Sequence, residues 1–455
     1  MLVVTGGSGL NQILTIVSPI VANSPRAPDD VRGEHEVMPL LDLFPPGSAT
    51  DHDGMLVVGG CRVDALANEF GTPVLVVAED ALRDRAREYL RELTTRWPNS
   101  RAVFASKAFP CTAVQRVMVQ EGLGLDVAGG GEILTALKAG VDPALIVLHG
   151  NAKTTEELTL AVSNRVGLVV VDGPDDVDRL ESVVPAGQRQ DVLVRIIPGV
   201  TADTHAHVLT GHEGSKFGLL PAVARPLIQR IERSARLRMQ GVHAHVGSQI
   251  MEPEPLAAAV APLVALGEFP VYDLGGGLGA RYTWADRPAS IARYLDVLIG
   301  AATAVLPAGA QIIIEPGRSM VAASATTIYR VVTVKRGNPM FVAVDGGMSD
   351  NLEVALFDQR FEAGIASRLD ARDGDLVTVV GRHCESGDVL VDGVRLADPR
   401  VGDLLAVPAT GAYCYTMSNN YNGTRRIPVV FARYGSATLV VRRETWEDLA
   451  ARDVV

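Results

Sequence analysis

The stretch AVFASK, residues 102–107, is a short apolar run that ends on a lysine. A run this short is either a strand buried on both faces or part of a buried helix, and its own periodicity does not choose. The surrounding sequence chooses. Comparable runs recur as GLDVA (124–128), LIVLHG (145–150), GLVVVD (167–172), VLVRII (192–197), GVHAHV (241–246), VYDLGG (271–276) and QIIIEP (311–316). Between them lie helix-length segments such as GGEILTALKAG (130–140) and PASIARYLDVLIGAATAVL (288–306). Eight strand–helix alternations with strands apolar on both faces predict an α/β fold, a (β/α)8 barrel over residues 76–325, rather than an open sheet.

Beyond residue 325 the texture changes. TTIYRVVTVKR (326–336), MFVAVDGG (340–347), DLVTVVGRH (375–383), DLLAVPA (403–409), IPVVFAR (427–433) and SATLVVRRE (436–444) are short strands split by Gly, Pro and Asp, with no long helices between them. They predict a second, β-rich domain over 326–455. The segment GMLVVGGCRVDALANEFGTPVLVV (54–77) has the same texture, so residues 41–75 are expected to join that domain from the other side of the barrel. Residues 1–40 are expected to form a flexible leader; their GGSG (6–9) lacks the spacing of a phosphate loop.

Composition narrows the class of function. The 455 residues exceed what one small core needs, and a 47% hydrophobic, 21% charged composition is that of a soluble globular chain. A formal net charge of −11 argues against a nucleic-acid surface. The four cysteines, 61, 111, 384 and 414, form no CxxC pair, so neither a disulfide framework nor a metal site is expected. The sequence has no apolar run of the roughly eighteen residues needed to span a membrane. It also has no Lys or Arg before Arg26, unlike a secretory signal, and a cytoplasmic location is expected.

In a barrel enzyme the polar residues at the carboxyl ends of the strands carry the chemistry. Lys107 follows the first strand, His245 the sixth, Gly275, Gly276 and Gly277 the seventh, and Glu315, Gly317 and Arg318 the eighth. Lys107 lies among small and apolar residues, where desolvation is expected to lower its pKa and leave a free amine able to form a Schiff base. Taken alone it is also a strand-end lysine reaching for solvent. The glycines can bring backbone N–H groups close to a phosphate. Glu315, at the end of a buried strand, needs a partner, and a protonated pyridine nitrogen is one. His245 can stack on a flat ring. Together these features describe a pyridoxal 5'-phosphate site, with Ser248 joining the glycines at the phosphate.

Ten further stretches carry a family resemblance: FASKAFP, GLGLDVAGGGEI, HGNAKTTEEL, PGVTADTHAHVLTGHEGSKFG, HVGSQI, DLGGGLG, EPGRSMV, VDGGMSDN, CESGDVL and GAYCYTMSNNYNG. From about Thr72 to the C-terminus the chain resembles the fold-type III pyridoxal phosphate decarboxylases, and among them the diaminopimelate decarboxylases. The resemblance implies a barrel plus β domain, an amino-acid substrate, and a head-to-tail homodimer with shared active sites. It makes Lys107 the cofactor lysine, His245 the ring-stacking residue, and Ser248, Gly275–Gly277 and Tyr421 cofactor contacts. It makes Glu315 the pyridine partner and Arg318 a substrate-binding residue. Cys384 becomes the acid that protonates the carbon left after decarboxylation, supplied by the neighbouring subunit, and Glu385 faces the distal amino group of the substrate.

One segment departs from the family. Where diaminopimelate decarboxylases continue GMSDN into Arg-Pro-Ala-Leu-Tyr-Gly, this chain reads NLEVALFDQRF (351–361). Glu353 stands in place of the arginine, Phe357 in place of the tyrosine and Asp358 in place of the glycine. Glu353, Asp358 and Glu385 are expected to make the distal pocket acidic, favouring a basic diamino acid or a modified amino acid over diaminopimelate. Under the alternative the loop is repacked, Arg318 and Arg360 grip a distal carboxylate, and the substrate is meso-diaminopimelate. An amino-acid racemase is disfavoured by Glu315, because those enzymes set an arginine against the pyridine nitrogen. A catalytically dead regulatory homologue is disfavoured by Lys107, Cys384 and Tyr421.

Overall fold

The computed structural model describes residues 39–200, 214–369 and 374–454. Most of the expected leader, and the central part of the PGVTADTHAHVLTGHEGSKFG motif, lie outside the described residues. Eight parallel strands close into a barrel in chain order: Ser100–Ala105, Gly124–Val127, Ile146–Leu148, Leu168–Val171, Gln190–Arg195, Leu237–His243, Val271–Asp273 and Gln311–Ile314. Every strand expected of the barrel is present. Val103, Val147, Leu168, Val170, Leu193, Val271 and Ile313 fill the interior, while alternate residues such as Ala102 and Phe104 pack outward against the helices. That two-sided burial explains why the strands read as unbroken apolar runs.

The helices stop where the sequence says they should. Gly130–Ala139 ends on Gly140 in the left-handed conformation (φ +90°). Thr155–Ser163 starts at a capping box between Thr154 and Glu157, and Ser290 caps Ile291–Val305.

Among the described residues the second domain is a nine-stranded, mainly antiparallel sheet. Its long strand Ala325–Lys335 pairs with Met340–Val344, with Leu404–Pro408 and with an N-terminal strand, Val74–Ala78. This N-terminal strand is buried along its whole length and lies between Ala325–Lys335 and Val429–Arg433. The boundary expected between residues 75 and 76 therefore falls inside a strand. Val76 to Ala78 belong to the β domain, because their backbone pairs there and their side chains fill its core.

Val389–Leu396 is a strand that the sequence reading did not include. Its Asp392-Gly393 reads as a turn, yet the chain absorbs it as a register shift, with Gly393 at φ +68°. All four cysteines are free; Cys61, Cys111 and Cys414 are buried and Cys384 is exposed. Among the described residues no helix is long and apolar enough to cross a membrane.

Candidate active site

The carboxyl ends of the barrel strands bring a group of ionisable side chains together. Lys107 sits in the turn after the first strand, its side chain open to the barrel mouth and its carbonyl accepting from Thr416 Oγ1 at 2.8 Å. The sequence led us to expect a lowered lysine pKa. Burial does act in that direction, but Asp126, Tyr413 and Glu315 outweigh it, and the pKa is raised. Lys107 is therefore held as a cation among acids and must lose its proton before acting as an amine.

Glu315, buried at the end of the eighth strand, faces His243 Nε2 at 3.3 Å through its Oε2. Its Oε1 lies 2.5 Å from His149 Nε2, at an angle that makes no hydrogen bond, so this oxygen lacks a hydrogen-bond partner. Burial pushes the Glu315 carboxyl up, but the two histidines outweigh it and hold it well below the usual range. Asp126 and Asp273, both buried nearby, are pushed up by burial and lie beside Glu315. Burial also holds the His245 imidazole well below its usual pKa, with help from the Lys107 and Arg195 charges, so the ring is neutral. His245 Nδ1 accepts from the Gly276 N–H at 3.3 Å, which fixes the tautomer and the ring plane.

The glycines are demanded by packing. A Cβ on Gly276 would come within 2.1 Å of the Glu315 carbonyl oxygen, and one on Gly275 within 2.4 Å of the Ala244 carbonyl oxygen. Gly277 (φ +132°) would press on the Gly247 carbonyl oxygen at 2.7 Å, and Gly317 would meet the Ala105 Cβ at 3.0 Å. Glycine here lets the sixth, seventh and eighth strand ends converge.

Arg318 is also buried, and all of its N–H-bearing atoms are engaged. Nε donates to Ser248 Oγ at 3.2 Å, and NH1 donates to Tyr282 Oη and to Glu353 Oε2, each at 2.6 Å. NH2 donates to Glu353 Oε1 at 3.2 Å, and the guanidinium lies over the Tyr413 ring, 4.5 Å from its centre. Glu353 is buried as its partner. The expected acidic pocket is therefore corrected within the protomer. Glu353 spends its charge on Arg318, because a buried carboxylate without a partner is strongly unfavourable, while Asp358, Glu385 and Arg360 are exposed. Phe357 is half-buried on the same short helix, Glu353–Phe357.

Cys384 belongs to a third group, on the β domain. Its N–H donates to Asn422 Oδ1 at 3.0 Å. The neighbouring His383 is buried, shares a 2.9 Å hydrogen bond with Ser349 Oγ, and lies 5.6 Å from the Tyr421 ring. Asp388 accepts from the N–H of His383 at 2.8 Å and from that of Met348 at 2.6 Å. His383, Glu385, Ser386 and Asp388 line a cavity of about 300 Å³ beside this loop. Tyr421 thus stands beside the Cys384 loop, and Tyr413 stands beside Lys107.

His149, His243, Asp126, Arg195, Tyr282 and Tyr413 were missed in the sequence. The strand-end rule applied to the second, third and fifth strands would have returned three of them: Asp126, His149 and Arg195. His149, His243 and Glu315 also come within ligand distance of one another. Two ligands of a tetrahedral ion lie about 3.3 Å apart, however, so the 2.5 Å between His149 Nε2 and Glu315 Oε1 is too short for two ligands of one ion.

A family model, "Pyridoxal-dependent decarboxylase, pyridoxal binding domain", matches residues 80–322. The chain is 43% identical over 426 residues to a diaminopimelate decarboxylase of Actinosynnema pretiosum, covering 90% of this chain and 95% of that one. It is 39% identical over 440 residues to the diaminopimelate decarboxylase of Mycobacterium tuberculosis, covering 91% and 98%. The crystal structure of the M. jannaschii diaminopimelate decarboxylase with L-lysine superposes with a TM-score of 0.84 at 28% identity, covering 90% and 98%. The residues present fit pyridoxal phosphate. Lys107 opens at the mouth, the glycine turn lets the strand ends that carry His245 and Glu315 converge, and Glu315 keeps a buried, unpartnered oxygen. The chain belongs to the pyridoxal-dependent decarboxylases, carbon–carbon lyases that act through this cofactor, and within them to the diaminopimelate decarboxylase-like branch.

Proposed function

We propose that this enzyme removes the α-carboxylate of an amino acid whose distal end carries no carboxylate, a basic diamino acid or a modified amino acid. The observation that carries the reading is the closed contact set of Arg318, with Glu353 as its buried counter-ion. An unpaired guanidinium about 4 Å from a substrate carboxylate attracts it by about 4 kcal/mol at an effective dielectric of 20. Pairing with Glu353 cancels most of that attraction. Compared with the family pattern, the pocket has lost one arginine and has a second one neutralised.

Bound pyridoxal phosphate supplies the electron-withdrawing ring that takes up the electron pair of the breaking bond. The chain's own residues do the rest. Lys107, once deprotonated, would hold the cofactor until the substrate amine takes its place. His245 would present a neutral ring face to it, and Gly275–Gly277 with Ser248 would hold its phosphate. Glu315 would accept from its pyridine N–H. Cys384, from a partner subunit, returns a proton to the carbon that has lost carbon dioxide, and Tyr421 and Glu385 stand beside that thiol.

A second reading, decarboxylation of meso-diaminopimelate to L-lysine, is favoured by the names of the relatives. Release of carbon dioxide from meso-diaminopimelate, lysine, ornithine and arginine separates the two. The proposal expects kcat/KM for a basic amino acid to exceed that for diaminopimelate; a clear preference for diaminopimelate overturns it.

A further inference from the structure

Three buried acids, Asp126, Asp273 and Glu315, meet at the mouth of this barrel, and only one can serve as the pyridine partner. Like charges this close cannot all stay ionised, so something must select which acid keeps its charge. His149, after the third strand, lies 2.5 Å from Glu315 but 3.7 Å from Asp126. His243, at the end of the sixth strand, lies 3.3 Å from the other Glu315 oxygen. The two imidazoles meet edge to face, their centres 4.8 Å apart, so each braces the other against the carboxylate. His243 Nδ1 has no hydrogen-bond partner, which leaves the ring's proton on Nε2, facing Glu315.

We propose that His149 and His243 are positioning residues: His243 directs its Nε2–H at one oxygen of Glu315, His149 packs against the other, and together they select it, over Asp126 and Asp273, as the ionised partner of the cofactor's pyridine nitrogen. The electron sink then depends on a three-residue unit rather than on Glu315 alone. The inference rests on the reading of Lys107 and Glu315 as cofactor-holding residues. The other charged groups facing Glu315 are Lys107 and Arg195, from the first and fifth strands. Among the described residues neither hydrogen-bonds to it, so the histidines set its geometry. The directions agree with this assignment: the Glu315 carboxyl is held down while both aspartates are pushed up.

The test uses the holoenzyme and reads the absorbance of bound pyridoxal phosphate against pH, together with kcat and KM. Leucine at either histidine (H149L, H243L) removes the polar nitrogen beside Glu315, whereas glutamine (H149Q, H243Q) keeps one near the same place. The leucine variants should displace the pH midpoint of the cofactor band and lower kcat about 100-fold, with KM changed less than about threefold. Glutamine should recover most of both effects. Leucine variants with an unchanged band titration and kcat overturn the positioning role. So does glutamine behaving no better than leucine. If the leucine variants do not fold, H149N, whose amide is one bond too short, takes their place and should fail where H149Q succeeds. The underlying reading fails separately, if wild-type protein shows no cofactor band that Lys107→Ala abolishes.

Discussion

At the level of single residues, Glu353 is the side chain whose reading changes most between sequence and structure. The sequence shows an acid where the family keeps an arginine, but it does not show that Arg318 is the group facing it, 35 residues away along the chain. Removing one partner of a buried pair costs about 3–5 kcal/mol. Glu353→Ala should therefore lower the stability measured by urea denaturation by about that amount. Glu353→Gln keeps one of the two hydrogen bonds from Arg318 and frees its charge. We expect it to raise kcat/KM for diaminopimelate relative to lysine at least about tenfold, as steady-state assays would register, since about 1.4 kcal/mol of recovered attraction suffices. Lys107, Glu315, Arg318 and the three glycines were legible because strand ends and glycine runs leave marks in the local sequence. Tyr282 and Tyr413 were not, because only tertiary packing makes them neighbours of Arg318.

At the level of elements, two loops of the β domain hold each other. The loop after Met340–Val344 carries Met348, Ser349 and Asp350 and leads into the helix that begins at Glu353, and the loop after Asp375–Val380 carries His383, Cys384 and Asp388. The bonds from His383 to Ser349 and from Asp388 to Met348 join them. His383, next to Cys384 in the chain, is thus the residue that anchors its loop. His383→Ala should leave the cofactor spectrum unchanged and raise the fraction of turnovers ending in abortive transamination, read as pyridoxamine phosphate per carbon dioxide released. Asp350 adds a pH dependence. Burial pushes its carboxyl up to about 7, from 3.8, and its Oδ1 has no hydrogen-bond partner. A raised carboxyl pKa means that the folded state holds the proton more tightly. The stability it contributes is complete below about pH 4 and is lost as pH rises through 7. Asp350→Asn should therefore gain on the wild type by about 1.4 kcal/mol per pH unit between those limits and level off above them, as denaturation at several pH values would show. The element pattern was largely legible in the sequence, since barrel strands buried on both faces announce themselves. Val389–Leu396 was not, because a bulge and a turn share the same Asp-Gly signal.

At the level of the whole molecule, Lys107 lies on the barrel and Cys384 on the exposed surface of the β domain. If two copies share their sites, a mixture of Lys107→Ala and Cys384→Ala proteins, each inactive alone, should regain roughly a quarter of wild-type activity through mixed dimers with one intact site. No recovery after mixing under conditions that exchange subunits would mean that each chain completes its own site. The strand Val74–Ala78 has a consequence for how the chain is made. Its sheet partners begin at Ala325, about 250 residues later. At roughly 5–20 residues per second, a ribosome needs roughly 12–50 s to deliver them. The barrel can close in that interval, since its strands all lie between residues 100 and 314. An apolar ribbon with open backbone groups meanwhile waits on the N-terminal side of the nascent chain, so this enzyme should depend on chaperones that shelter that side during synthesis.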